Sequence, residues 1–204
     1  MTNYSAVTER IIEEIRDKSE KPKLLLHVCC APCSSYVLEY LSDYFDITLY
    51  YYNPNISPEK EYTLRYEELK RLVAETKSNA KVELGAYEPK RFLEIAKGRE
   101  EEPEGGERCF LCYRLRLSES GKYAKENNFD YFTTTLSISP YKNAEKLNTI
   151  GGDIADSLGI KYLYSDFKKK NGYKRSIELS REYGLYRQDY CGCAFSKALK
   201  EKLI

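Results

Sequence analysis

Hydrophobic residues follow two alternating patterns along the chain, short continuous runs and stretches with helical spacing. The runs predict buried strands at residues 24–28, 47–52, 81–84, 131–135 and 161–164. The helical spacing predicts helices at residues 5–18, 34–41, 57–73, 89–97, 110–127 and 143–158, with two more after residue 164. Repeated strand–helix units predict an α/β fold, in which an open parallel sheet carries helices on both faces.

Local sequence signals set several of these boundaries. Ser57 and Pro58 are typical of an N-cap followed by the first helical position, and Gly159 is typical of a helix end. The acidic stretch 98–108 contains three glycines and a proline, which predicts a surface loop. Residues 1–204 show no repeat or linker, so we expect one domain.

Charge and hydropathy exclude some classes of function. The formal net charge is +1, so affinity for a nucleic acid has to come from a local basic patch. No apolar segment is long enough for a signal peptide or a membrane span. We therefore expect a cytoplasmic protein with no membrane partner, whose thiols stay reduced and available to metals.

The seven cysteines fall into three short sequence groups, at residues 27–33, 109–112 and 189–193, which we call knots without implying disulfide bonds. Such spacings let neighbouring thiolates converge on one metal. Cys30 with Cys33 and Cys109 with Cys112 supply four sulfurs, enough for one zinc ion or one [4Fe-4S] cluster. The spacing alone favours neither of these two.

The remaining cysteines predict a second metal site. In an extended chain the side chains of Cys29 and Cys30 point apart, which assigns them to different metals. Cys29, Cys191 and Cys193 then form a three-thiolate site, with Asp189 as a candidate fourth ligand. A metal with an open position can act as a Lewis acid.

Other polar residues should meet the cysteines at the carboxyl ends of the strands, where ligands bind in open α/β sheets. His27 is the only histidine, and two interpretations stay open for it: a hydrogen-bonded core residue, or a proton donor beside the metals. Lys168, Lys169 and Lys170 form the densest basic run, either a solvated surface or a phosphate contact. Arg114, Arg116 and Lys122 are candidates to extend it.

Five motifs resemble the cobalamin-independent epoxyqueuosine reductases, over about residues 23 to 196. They lie at 27–33, 53–56, 109–117, 134–140 and 186–193 and read HVCCAPC, NPNI, CFLCYRLRL, TTLSISP and YRQDYCGC. The resemblance implies a fold like the adenine nucleotide α-hydrolases. It also implies a [4Fe-4S] cluster with an adjacent mononuclear iron, and removal of the epoxide oxygen of epoxyqueuosine in the anticodon loop of tRNA.

That reaction sets roles for further residues. Deoxygenation takes two electrons and two protons, and no flavin or nicotinamide motif is present, so we expect an external electron donor protein. His27, Asp189 and Tyr190 are the candidate proton donors. The chain has 20 tyrosines, several of which can stack on RNA bases. The candidate substrate-binding residues are Asn53, Asn55, Tyr113 and Tyr141, together with Lys168, Lys169 and Lys170.

Two other classes of protein remain as alternatives. A zinc-stabilised RNA-binding module would use four of the thiols without redox chemistry. A tRNA-thiolating enzyme of the PP-loop kind would need ATP, but the loop after the first strand carries cysteines where that class has a glycine-rich phosphate loop.

Overall fold

The computed structural model describes residues 2–16, 20–76 and 78–201. Five strands form one parallel sheet in the order β3-β2-β1-β4-β5, which confirms the predicted α/β class. The strands are β1 (Lys23–His27), β2 (Asp46–Tyr51), β3 (Lys81–Leu84), β4 (Tyr131–Thr134) and β5 (Lys161–Tyr162). This order is consistent with an adenine nucleotide α-hydrolase-like fold, which stays a prediction.

Eight helices accompany the strands within the described residues. They are α1 (Tyr4–Arg16), α2 (Ala31–Leu41), α3 (Glu59–Glu75), α4 (Pro89–Ala96), α5 (Glu107–Glu126), α6 (Ala144–Leu158), α7 (Gly172–Glu182) and α8 (Ala194–Glu201), with a 3-10 turn at Thr135–Ile138. None of these helices has the length and hydrophobicity that crossing a membrane requires.

The centre of the sheet is its most apolar part. Leu24, Leu25 and Leu26 of β1 have no exposed surface, as expected of a strand with neighbours on both sides and helices on both faces. In the register, His27 lies opposite Tyr50 of β2 and Thr134 of β4. Strands β2 and β3 lie on one side of β1, and β4 and β5 lie on the other. The strand order therefore changes direction at β1, and ligands bind at such switch points in open α/β sheets.

Two helices begin three residues earlier than the sequence predicts, and both changes affect cysteines. Helix α2 begins at Ala31 because Pro32 suits a first helical turn, and Cys30 becomes its N-cap. Helix α5 begins at Glu107, which places Cys109 and Cys112 within its first two turns. Cys33 and Cys109, predicted to lie just before these helices, therefore lie in their first turns, and Cys30 caps α2.

The other boundaries differ by a few residues. The N-cap of α3 is Pro58 rather than Ser57, and the Ser57–Pro58 peptide bond is cis. The last strand has two residues instead of four. Gly159 ends α6 as predicted, in the left-handed conformation, and Asn143, predicted as the first helical residue, is instead its N-cap. Residues 17 and 18 of the first predicted helix lie outside the described residues.

Candidate active site

A pocket of about 780 Å³ lies beyond the carboxyl ends of the central strands. Three cysteines from two knots line it, namely Cys29, Cys33 and Cys191. Its wall also includes Tyr141 and Lys142 from the segment after β4, and residues 187–190 from the segment after α7. The prediction that separate segments converge at this edge of the sheet is confirmed.

The first knot forms a compact group of thiols. The sulfurs of Cys29, Cys30 and Cys33 all lie within 4.8 Å of one another, and Cys29 Sγ is 3.7 Å from Cys30 Sγ. The expectation that Cys29 and Cys30 point apart is therefore wrong: their sulfurs lie close together although the Cys30 backbone, as the N-cap of α2, is itself extended. The division of these cysteines between two metals stays a prediction.

The other two knots reach the site from α5 and from the segment before α8. Cys109 Sγ accepts a hydrogen bond of 3.3 Å from the Gly105 backbone N–H. Cys112 and Cys193 are both buried and belong to one small hydrophobic cluster with Phe92. Cys191 faces the pocket and shares a hydrogen bond with Cys193. All seven cysteines are free thiols.

Three buried cations surround these thiols, and the sequence did not assign them to the cysteine site. Arg65 and Arg116 are each 1% exposed, and the Lys142 side chain is 10% exposed. Lys142 Nζ is 3.5 Å from Cys191 Sγ and 3.4 Å from Glu104 Oε1. Buried cations are rare unless they are paired, so this concentration indicates a site built to hold negative charge.

Arg116 is hydrogen-bonded within the core beside the first knot. Its Nη2 donates to Asn53 Oδ1 at 2.5 Å, and its Nε lies 3.3 Å from His27 Nε2. Burial alone would lower the pKa of Arg116, but the thiolates of Cys112 and Cys29 outweigh that effect and raise it. Arg116 therefore stays charged, and it lies close enough to the sulfurs of Cys29 and Cys112 to interact with two knots.

The thiols differ strongly in acidity. Hydrogen bonds from Cys30 and Cys33, helped by the cations of Arg116 and Lys142, hold the pKa of Cys29 well below its usual value. The hydrogen bond between Cys30 and Cys29 raises the pKa of Cys30 to about 12. A hydrogen bond from Cys193 and the charge of Lys142 lower the pKa of Cys191. The two pocket-lining cysteines with lowered pKa are thus poised to bind a metal as thiolates.

His27 is a neutral core residue. It is fully buried, and burial followed by the charge of Arg116 lowers its pKa to about 3. Its Nδ1 lies 2.8 Å from Thr134 Oγ1, and its Nε2 lies 3.1 Å from the Tyr52 carbonyl. Of the two interpretations, the structure favours the hydrogen-bonded core residue, because no ring nitrogen faces the pocket.

Three predicted substrate contacts are buried instead. Asn53 and Asn55 are 0% and 2% exposed, and Tyr113 is 3% exposed. Asn53 Nδ2 donates to the Val28 carbonyl, which braces the loop that leads into the first knot. None of the three lines the pocket, so we reinterpret them as residues that support the site from behind.

Three other predicted residues do line the pocket, namely Tyr141, Asp189 and Tyr190. Tyr141 is 75% exposed, which suits a stacking surface. The Arg65 guanidinium lies over the Tyr190 ring, 5.4 Å from its centroid, and fixes that ring beside the third knot.

The basic run at 168–170 lies outside the pocket lining. Lys168 pairs with Asp166 at 2.7 Å, and Lys170 pairs with Glu9. Lys169 is exposed. Because two of the three charges are neutralised locally, the contribution of this run to RNA binding is smaller than the sequence suggests, and its role stays a prediction.

Comparisons with known proteins agree with this geometry. Residues 24–199 match the family model described as "Epoxyqueuosine reductase QueH". A protein of that name from Staphylococcus epidermidis is 45% identical over 205 residues, covering 98% of this chain and 86% of the relative. The protein of the same name from Streptococcus pyogenes is 43% identical, covering 97% and 79%. The one from Thermotoga maritima is 34% identical, covering 85% and 89%.

Proposed function

Because the chain belongs to the epoxyqueuosine reductase QueH family, we propose that this oxidoreductase removes the epoxide oxygen of epoxyqueuosine in tRNA and so forms queuosine. The reaction breaks both C–O bonds of the epoxide and forms a C=C bond. Two electrons and two protons enter, and one water leaves. The observation that carries the proposal is a single pocket lined by cysteines of the first and third knots together with two buried cations, Arg116 and Lys142.

The residues present fit an iron–sulfur cluster beside a single iron. Thiolates are the usual ligands of such clusters, and the bound groups carry net negative charge that buried cations can offset. Arg65 Nη2 is buried without a hydrogen-bond partner among the described residues. A donor left unpaired beside the thiols is what an acceptor such as a cluster sulfide would satisfy.

We keep the ligand sets that the sequence predicts. Cys30, Cys33, Cys109 and Cys112 hold the [4Fe-4S] cluster, and Cys29, Cys191 and Cys193 with Asp189 hold the iron. In support of the second set, Cys29, Cys191 and Asp189 all line the pocket, whereas of the first set only Cys33 does, and Cys30 and Cys112 are buried away from it. A substrate in the pocket therefore meets more of the second set than of the first.

When bound, these groups would supply single electrons and a Lewis acid that weakens the epoxide C–O bond. The chain's own residues supply the protons and the orientation. Tyr190 lies in the pocket wall next to Cys191 in sequence and is the donor that we favour, because Asp189 is assigned to the iron. His27 orients Arg116 rather than donating a proton, because it is neutral and has no contact with the pocket.

The tRNA partner binds at the mouth of this pocket in our proposal. Sequence-selective RNA readers splay bases out of a loop and stack them on aromatic rings, a role that Tyr141 can fill. Because no flavin or nicotinamide motif is present, the electrons come from a separate donor protein.

A direct assay tests the function. Purified protein, prepared without oxygen, is incubated with epoxyqueuosine-containing tRNA and a low-potential reductant, and the nucleosides are analysed by mass spectrometry. We expect loss of one oxygen atom and formation of queuosine. A Cys29→Ser variant, in which the pocket-facing thiolate is removed, should be inactive. Unchanged epoxyqueuosine with wild-type protein that carries its full metal content would contradict the proposal.

A further inference from the structure

One polar side chain of the pocket wall has a buried atom without a partner and is not used by the cysteine chemistry. Gln188 is the only glutamine of the chain, and it lines the pocket three residues before Cys191. Its Oε1 atom is buried and has no hydrogen-bond partner within the part of the chain that the structure describes. A buried acceptor without a partner is unfavourable, and a ligand that brings a donor removes that penalty.

The backbone around Gln188 is held firmly by side chains of α3 and α7. The Tyr186 N–H donates to Glu68 Oε1 at 2.7 Å, and Arg187 Nη1 donates to Ser180 Oγ at 3.0 Å. Arg65 Nη1 donates to the Cys191 carbonyl at 3.3 Å on the other side of Gln188. A side chain on a segment tethered at both ends can select a ligand, because little conformational freedom is lost on binding.

Aromatic rings lie in the same pocket lining as this amide. Tyr190 and Tyr141 both belong to it, and Tyr141 is largely exposed. Proteins usually recognise an unstacked nucleobase by hydrogen bonds to the edge of the base and an aromatic ring stacked on its face. An amide and aromatic rings in one pocket provide both kinds of contact.

We propose that the Gln188 amide recognises the Watson–Crick edge of the substrate base, accepting a hydrogen bond from its exocyclic amine. This inference rests on the proposed function, since epoxyqueuosine is a modified 7-deazaguanine nucleoside. A guanine-type edge offers N–H donors to the buried Oε1 atom. A hypoxanthine edge keeps N1–H but lacks the exocyclic amine, so it loses the one hydrogen bond assigned to Oε1, and Gln188 discriminates between the two bases.

Competition binding against labelled epoxyqueuosine tRNA tests this role on the metal-loaded protein. The probes are two anticodon stem–loops that differ only in guanosine or inosine at the wobble position, because inosine lacks the amine. We expect the wild type to prefer the guanosine loop by about tenfold, the size expected for one buried hydrogen bond. Gln188→Met, which keeps the length but loses the acceptor, should bind both loops equally.

Two further variants separate recognition from folding. Gln188→Glu retains an acceptor oxygen and should keep the preference, even where its added charge weakens the binding of both loops. Asn79→Met, an exposed amide before β3, should leave the wild-type ratio unchanged. The inference is overturned if the wild type does not distinguish the two loops, or if Gln188→Met keeps the full preference.

The same preparations are assayed for conversion of the epoxyqueuosine tRNA. Conversion by a wild type that shows no preference between the loops would overturn the role of Gln188 alone. Failure of the metal-loaded wild type to convert the substrate would overturn the proposed function itself.

Discussion

Arg116 gives the sharpest test of how the buried cations hold the site together. We consider Arg116→Met, which keeps the aliphatic stem but removes the guanidinium. The change leaves Asn53 Oδ1 without its donor and removes the cation beside His27 and the thiolates of Cys112 and Cys29. Asn53 also braces the loop before the first knot, so the effect extends to the cysteines.

The expected magnitude follows from the burial of the partners. An acceptor left unpaired in the interior costs about 1–3 kcal/mol. Removing one member of a buried charged pair costs about 3–5 kcal/mol, because the other charge loses its compensation. The variant no longer has to bury a charged guanidinium, and the desolvation cost that it avoids offsets part of this loss. We therefore expect the free energy of unfolding to fall by about 3 kcal/mol.

Urea unfolding of the reduced protein under anaerobic conditions measures this difference. The matched control is Arg114→Met on the same helix, because Arg114 is 54% exposed and lies 3.8 Å from Asp153. A surface pair of this kind contributes less than about 1 kcal/mol. Equal unfolding free energies for the two variants would refute the structural role assigned to Arg116.

Three further results are expected. The pKa of His27 is about 3 when folded and 6.5 ordinarily, so its neutral form stabilises the protein fully above pH 6.5 and loses that effect as the pH falls towards 3. The stability difference between the wild type and His27→Gln should therefore shrink over this range, and a constant difference would contradict the buried neutral ring. Gly192→Ala should reduce both iron content and stability, because Gly192 has φ +108° and an added Cβ would lie 3.0 Å from Arg65 Nη1. Gly184→Ala, at φ +54° with open space around it, should reduce stability alone, and equal iron loss in both variants would argue against crowding at Arg65. Tyr141→Ala should weaken substrate tRNA binding about tenfold without changing the melting temperature, as measured by fluorescence anisotropy and calorimetry, and unchanged affinity would exclude Tyr141 as a stacking surface.

The sequence predicts the sheet well because its strands carry a direct signal. The continuous apolar run at Leu24–Leu26 is a central strand, and its position predicts that the residues after it line a ligand site. The cysteine knots are also recognisable, because short spacings constrain neighbouring thiols whatever the tertiary structure is.

The surroundings of the thiols are not predictable in the same way. Lys142 and Arg65 look like ordinary surface charges in the sequence, and only the packing of distant segments buries them beside the cysteines. Asn53 and Asn55 are predicted to contact the substrate, because polar residues after a strand suggest a ligand site. Both are buried instead, and Asn53 donates a hydrogen bond to the Val28 carbonyl. The Cys29–Cys30 geometry is also not predictable from alternation along an extended chain, since Cys30 is extended and the two sulfurs still lie 3.7 Å apart.

The central claim is that the three cysteine knots hold redox-active iron. Iron, zinc and acid-labile sulfide are therefore measured in protein purified without oxygen. The account predicts about five iron and four sulfide per chain, for one cluster and one separate iron. About one zinc per chain without sulfide would contradict it and indicate a structural four-thiolate site.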